Sequence, residues 1–289
     1  MPDHRYRGTI VLYEPISSIA EAYRNARTSL FYSIPEGSAK VLALSSCVPR
    51  DGKTTTCVNL AITVAQSGKR VLLIDADLHR SMVAEVLGLS GKVGLTDLLV
   101  GKSTLRAAVQ QVEGHEKGRV VNLDVLAAGT HTPNPAELLD SDKMRELLRE
   151  VRGIYDWVFV DTPPLLFVSD ASIMSVLCDG IILVVRSGVS NRSLLRRVKE
   201  QLEGVHGHII GSILNDMTVS RVGRYYSSYY YHGYSRYSKD YHRSYYSDGK
   251  GQKKTDKGTP PAPSSRSKSL AIQLPTACAL PLSRAASSK

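Results

Sequence analysis

Five short apolar runs are spaced along the chain: VLALSS at 41–46, VLLID at 71–75, WVFVD at 157–161, GIILVV at 180–185 and HIIGSILN at 208–215. Each is nearly continuous in aliphatic residues and stops at a turn. That is the pattern of a strand buried on both faces of a parallel sheet. Segments of helical length separate them. Residues 16–32 read as a helix, followed by the linker IPEGSA. DGKTTTCVNLAITVAQSG opens on Gly52 and ends at Gly68, and further helices are expected near 170–178 and 192–203. Between the second and third runs, GLTDLLVG and TPNPAELLDSDKMRELLREV read as short helices and loops. Strands alternating with helices predict an α/β domain with a mostly parallel sheet covered on both faces. No internal repeat is visible in this part.

The apolar pattern ends near Met217, and beyond it the composition changes. Residues 225–289 hold 11 Lys+Arg against 3 Asp+Glu, so most of the chain's net charge of +10 lies there. Between Tyr225 and Tyr246 stand ten tyrosines: Tyr225, Tyr226, Tyr229, Tyr230, Tyr231, Tyr234, Tyr237, Tyr241, Tyr245 and Tyr246. Ser, His, Gly, Arg and Lys interrupt them with no period of 2 or 3.6, so they are not expected to form a core. A segment so poor in aliphatics cannot offset its ordering entropy, and a disordered tail is expected. The expected divisions are an N-terminal segment with a helix (1–40), a nucleotide-binding domain (41–220), the tyrosine cluster (221–246) and a basic tail (247–289). The charge of the tail reads as solvation, or as weak attraction to anionic lipid or polymer. Cys47, Cys57, Cys178 and Cys278 form no CxxC pair, which suggests free thiols in a reducing compartment. The start MPDHRYRG has no apolar stretch behind it, and no run of eighteen apolar residues occurs, so neither a secretory leader nor a membrane span is expected.

The chemistry is written at the ends of the strands. VLALSS-CVPRD-GKTTT places a strand, a loop and a helix in the order that a phosphate-binding loop requires. The loop Pro49 to Gly52, through the backbone N–H groups of Arg50, Asp51 and Gly52, with the helix start at Thr54 and Thr55, would cradle the phosphates of ATP. Lys53 would reach the β- and γ-phosphates, and Thr54 would offer its hydroxyl to Mg2+. Cys47 stands where such loops usually open on Gly. A chance GKT in an ordinary turn is the competing reading. Two further strands end in carboxylates: VLLID ends at Asp75 with Asp77 two residues on, and WVFVD ends at Asp161. Asp75 and Asp77 would face one side if extended, where each raises the other's pKa unless a cation intervenes.

Taken together, these residues resemble the bacterial tyrosine kinase family, which is built on the P-loop ATPase fold. The resemblance covers residues 14–246. Its second Walker motif, aliphatics then DxDxR, is matched by Leu72 to Asp77, with His79 where the family has Arg. Aliphatics then DxxP are matched by Val158 to Pro164, and ExxRxxR by Glu21, Arg24 and Arg27. PNPAELLDS (133–141) and the run ending in Asn215 also look like family segments, and the tyrosine cluster resembles the family's autophosphorylated tail. The resemblance implies an ATP- and Mg2+-dependent tyrosine autokinase of capsule or exopolysaccharide synthesis. It implies a cytoplasmic protein recruited to the membrane by a separate transmembrane polysaccharide co-polymerase that completes the ATP site. It also implies a homo-oligomeric ring and a cognate phosphatase, and no nucleic acid.

Roles are assigned on the same terms. Lys53, Asp75 and Asp77 are the candidate catalytic residues, with Asp75 orienting or deprotonating the tyrosine. Thr54, Asp77 and Asp161 are the candidate metal ligands, and Asn215 an adenine contact or a plain turn residue. Glu21, Arg24 and Arg27 form either an intersubunit contact or a surface ion pair worth a few tenths of a kcal/mol. Asp170 reads equally as a site residue or a helix N-cap. His79 is expected to be a solvated loop residue rather than a proton-sensitive partner of Asp75 and Asp77. A positioning ATPase of the partition or division type usually carries a second lysine early in the loop, which Ser46 to Pro49 lack. A non-catalytic ATP-binding scaffold is the other alternative.

Overall fold

The computed structural model describes residues 4–34, 41–112, 115–116, 119–120, 122–218 and 268–273. The tyrosine cluster and most of the basic tail lie outside the described residues. Three helices open the chain, His4–Gly8 (α1), Ile10–Tyr13 (α2) and Ser18–Ser33 (α3), followed by strand Val41–Ser46 (β1) and helix Lys53–Ala65 (α4). Strand Val71–Asp75 (β2) leads to Val83–Leu87 (α5), Leu95–Leu99 (α6) and Leu105–Ala108 (α7). Strand Val109–Val112 (β3), a small pair His115–Glu116 (β4) and Arg119–Val120 (β5), and Leu123–Leu126 (β6) come next. Pro135–Leu139 (α8) and Asp142–Ile154 (α9) precede Trp157–Asp161 (β7), Asp170–Leu177 (α10), Gly180–Arg186 (β8), Arg192–Gly204 (α11), Ile209–Thr218 (β9) and Lys268–Gln273 (β10).

The main sheet runs β10-β9-β8-β1-β7-β2-β6-β3. The pairs from β9 through β6 are parallel, and β3 closes the edge antiparallel to β6. The alternation of each strand sorts its residues between two cores. Val41, Ala43, Leu72, Ile74, Val158 and Val160 join the core shared with α6, α9, α10 and α11. Leu42, Leu44, Val71, Leu73 and Phe159 join the core shared with α2, α3, α4 and α5. This is why the runs read as continuously apolar: both faces are covered. Fully burying one such Leu or Ile contributes roughly 1.5–3 kcal/mol.

Three features depart from the sequence reading. Strands β3 and β6 lie in a stretch read as helices and loops, because VQQV and LDVL are too short and mixed to stand out from their surroundings. Helices α1 and α2 were not expected; Ile10 and Val11 of α2 share a core with Ala20, Tyr23, Ala26 and Leu30 of α3. β10 falls in the segment expected to be disordered, at SLAIQ, one of the few aliphatic runs there. Residues 4–215 are the described body of one unit, and residues 216–218 with 268–269 are the described residues of a second. No helix among the described residues is long and apolar enough to cross a membrane.

Candidate phosphoryl-transfer site

Strand order brings the three motifs together. β1 lies between β8 and β7, and β7 between β1 and β2, so the loop after β1 and the carboxylates ending β2 and β7 share one edge of the sheet. Asp75 is the register partner of Asp161 across the β2–β7 pair, and Leu44 is the partner of Asp161 on β1. In open α/β sheets such a carboxyl edge is where ligands bind.

The loop from Cys47 to Gly52 is built around left-handed turns. Arg50 has φ 69° and Gly52 φ 93°. A Cβ on Gly52 would stand 2.1 Å from Asn215 Nδ2, so both backbone and space demand glycine. Asn215, from β9, donates from that same nitrogen to the Asp51 carbonyl at 2.8 Å. Its side chain therefore braces the loop in this structure. Ser190 donates its hydroxyl to Asp51 Oδ2 at 2.7 Å, and Asp51 Oδ1 is buried without a hydrogen-bond partner. Burial pushes the Asp51 carboxyl above the usual range. Pro49 and Arg50 are exposed at the tip of the loop, while Thr54 and Thr55 lie in the first turn of α4. Cys47 is fully buried in the sheet core, and burial lifts its thiol to about 11, which makes it a packing residue.

Lys53 reaches the acidic strand ends. Its Nζ lies 2.7 Å from Asp77 Oδ2 and 3.5 Å from Asp161 Oδ2. Burial opposes its charge, but Asp161 and Asp77 hold the ammonium above the ordinary lysine range. Thr54 donates its hydroxyl to Asp161 Oδ2 at 2.6 Å. Asp161 Oδ1 is buried and unpartnered, and burial raises its carboxyl despite Lys53. Asp75 is fully buried; its Oδ1 accepts from the Asp77 amide at 3.2 Å, and its Oδ2 accepts from the Met82 and Val83 amides at 3.2 and 3.1 Å. Burial, then the charge of Asp161, pushes Asp75 up to about 8.

Three carboxylates thus surround one ammonium, and one buried oxygen lacks a partner. That charge imbalance fits a divalent cation. No group of three or more His, Cys, Asp or Glu among the described residues is placed to hold a metal alone. A cation here would draw on Thr54, Asp77 and Asp161 together with phosphate and water oxygens, as Mg2+ does at phosphoryl sites.

The side chain of His79 is 42% exposed, as expected of a loop residue, and its Nε2 lies 3.1 Å from Oδ2 of the buried Asp170 rather than against Asp75 or Asp77. Asp170 is the first residue of α10, one place after the N-cap Ser169. Ninety-one positions separate the pair, and no local sequence signal reports such a contact. Ser190 was missed for the same reason. Glu21, Arg24 and Arg27 line up on α3: Arg24 Nε pairs with Glu21 Oε2 at 2.7 Å, and an Arg27 N–H donates to the Thr63 carbonyl of α4 at 3.3 Å.

Known proteins share the sequence and fold of this chain. Residues 39–206 match the family described as AAA domain. The chain is 40% identical to the tyrosine-protein kinase YwqD of Bacillus subtilis (strain 168), over 78% of this chain and 92% of that protein. The solved kinase domain of the Escherichia coli tyrosine kinase ETK superposes with a TM-score of 0.66 at 36% identity, covering 71% of this chain and 78% of that one. The septum site-determining protein MinD of Pyrococcus horikoshii OT3, solved with Mg-ADP, gives a lower TM-score of 0.51 at 26% identity, covering 64% and 71%. The phosphate-loop fold is common to these proteins; the stronger likeness is to the kinases.

Proposed function

The chain belongs to the bacterial tyrosine kinases, and from that premise we propose that it transfers the γ-phosphoryl group of ATP to tyrosines of its own tail, within an oligomer that serves capsule or exopolysaccharide synthesis. The protein is a tyrosine-protein kinase on a P-loop NTPase fold, as its relatives are. The observation that carries the proposal is the cluster at one sheet edge: Lys53 against Asp77, with Asp75 and Asp161 in register beside it.

In the proposed reaction the phenol oxygen of tyrosine attacks the γ-phosphorus. The bond to the β–γ bridging oxygen breaks, ADP leaves, and the phenol proton passes to a carboxylate. Asp75 is the proposed acceptor, since burial makes its ionised carboxylate a stronger base than an ordinary one. Lys53 and the loop amides hold the β- and γ-phosphates. Mg2+ on Thr54, Asp77 and Asp161 would neutralise the charge that develops on the phosphate oxygens. Asn215 would give up the Asp51 carbonyl if it turns to adenine. Glu21, Arg24 and Arg27 are the proposed contact through which subunits deliver tails to neighbouring sites. A separate transmembrane activator that completes the site, recruitment to the inner membrane face and a cognate phosphatase belong to the same reading.

Lys53→Met tests it directly. The variant is expected to fold with an unchanged circular dichroism spectrum and to lose tail phosphotyrosine in cells without a wild-type copy. Normal phosphotyrosine in folded K53M would sink the proposal.

A further inference from the structure

We infer that His79 is a positioning residue, whose ring ties the loop carrying Asp75 and Asp77 to Asp170 and thereby holds both carboxylates against Lys53. The inference rests on the phosphoryl-transfer reading of this site and goes one step past it. Residues 75–83 leave β2 and turn back on themselves. The Arg80 amide donates to Asp77 Oδ1 at 3.0 Å, and the Met82 and Val83 amides donate to Asp75 Oδ2. His79 sits in the middle of this turn. Every hydrogen bond that fixes the two carboxylates by backbone therefore comes from residues within four positions of it.

Those bonds are local; outside them the start of the turn is held by the Ala76 amide, which donates to the Asp161 carbonyl at 2.8 Å, and by the burial of Ala76 and Leu78 in the core. The His79–Asp170 contact joins it to a different part of the sheet edge. Asp170 starts α10, after the loop that follows Asp161, and is 2% exposed. Against an ionised Asp170, which only accepts, the tether requires the form of the imidazole that carries its proton on Nε2. The side chain of His79 is 42% exposed and that of Asp170 2%, so the tether runs from the rim inward. It fastens the turn after β2 to the segment after β7, the two segments whose carboxylates converge on Lys53. Phosphoryl transfer depends on such alignment, and a shift of about 1 Å can cost roughly 100-fold in rate.

The test uses the purified full chain with Mg2+ and ATP, comparing wild type, His79→Leu and His79→Gln. Leu removes the donor. Gln places an amide N–H close to the position of Nε2 and carries no charge. H79L is expected to lose about tenfold or more in kcat for phosphotyrosine formation, with KM for ATP within about twofold, a scale usual for residues that orient a reacting site. H79Q is expected to recover most of that rate. Hydrogen exchange at the amides of residues 77–83 is expected to quicken in H79L and not in H79Q. Wild-type kcat in H79L, an H79Q as impaired as H79L, or unchanged exchange in H79L would each overturn the inference. If H79L does not fold, H79Q alone decides, because a tenfold loss with the hydrogen bond kept contradicts a tether. A wild-type chain that forms no phosphotyrosine would defeat the kinase reading instead, while the exchange measurement still reports on the tether.

Discussion

At the scale of single residues, the site is defined by carboxylates held where they do not want to ionise. Asp75 has no exposed surface and titrates near 8, so its charge is disfavoured in the folded, nucleotide-free chain. Linkage sets the sign of the pH dependence. In the unfolded chain Asp75 ionises near the ordinary value of 3.8. Below that pH both states are protonated and nothing is lost. As pH rises from about 4 to about 8, the unfolded chain sheds the proton and the folded chain keeps it, so stability falls across that window. Raised Asp161 adds to the same slope, and the elevated Lys53 acts only in strongly basic solution. Asp75→Asn is expected to flatten the slope between about pH 5 and 8 and to abolish phosphotransfer. Thermal midpoints of wild type and variant without nucleotide check this; parallel slopes would contradict it. A strained ionisable cluster of this sort is characteristic of a functional site rather than a packing one.

At the scale of elements, α3 carries both a fold contact and a candidate interface. Its apolar side, Ala20, Tyr23, Ala26 and Leu30, is buried in the core shared with α4. Its polar side presents Glu21 and Arg24 as an i,i+3 pair about one-third exposed, a geometry that adds little to stability. Arg27 is turned inward enough to bond the Thr63 carbonyl. Arg24→Ala with Arg27→Ala is therefore expected to leave a folded chain, at a cost of about 2 kcal/mol for the two lost hydrogen bonds to the Pro15 and Thr63 carbonyls. It is expected to convert the proposed oligomer to a monomer and to weaken the proposed autophosphorylation. Light scattering that gives the same mass for the double variant and unphosphorylated wild type would refute the interface.

At the scale of the whole molecule, the question is which tyrosines receive phosphate. The described part of the chain narrows the competition. Tyr23 is buried, with its phenol pushed to about 12 by burial, and Tyr155 is buried with its hydroxyl donating to Asp124 at 2.7 Å. Tyr13 and Tyr32, 64% and 89% exposed, and the half-buried Tyr6 are the accessible rivals of the tail. Single Tyr→Phe changes between Tyr225 and Tyr246 are expected to lower total phosphate only modestly, because closely spaced hydroxyls can substitute for one another. Replacing all ten is expected to remove nearly all phosphate, keep ATP binding, and stabilise the oligomer in ATP by preventing the build-up of tail charge. Mass spectrometry that places the phosphate mainly on Tyr6, Tyr13, Tyr23, Tyr32 or Tyr155 would overturn the assignment to the tail.

The sequence by itself determined the strands β1, β2, β7, β8 and most of β9, the helix α4 and the residues of the phosphate loop. Those elements are announced locally: a strand buried on both faces must be continuously apolar, and a loop that wraps phosphate needs Gly52 beside Lys53. The short strands β3 and β6 carry no such mark, because four mixed residues fit a loop as well as a strand. Only the tertiary structure decided the partners. Placing β7 between β1 and β2 set Asp161 in register with Asp75 and within reach of Lys53 and Thr54. Bringing α10 to the same edge gave His79 its contact with Asp170, and β9 set Asn215 against Asp51 and Gly52. Strand order is fixed by how whole helices and sheets share buried surface, and side chains far apart in the chain meet as its consequence.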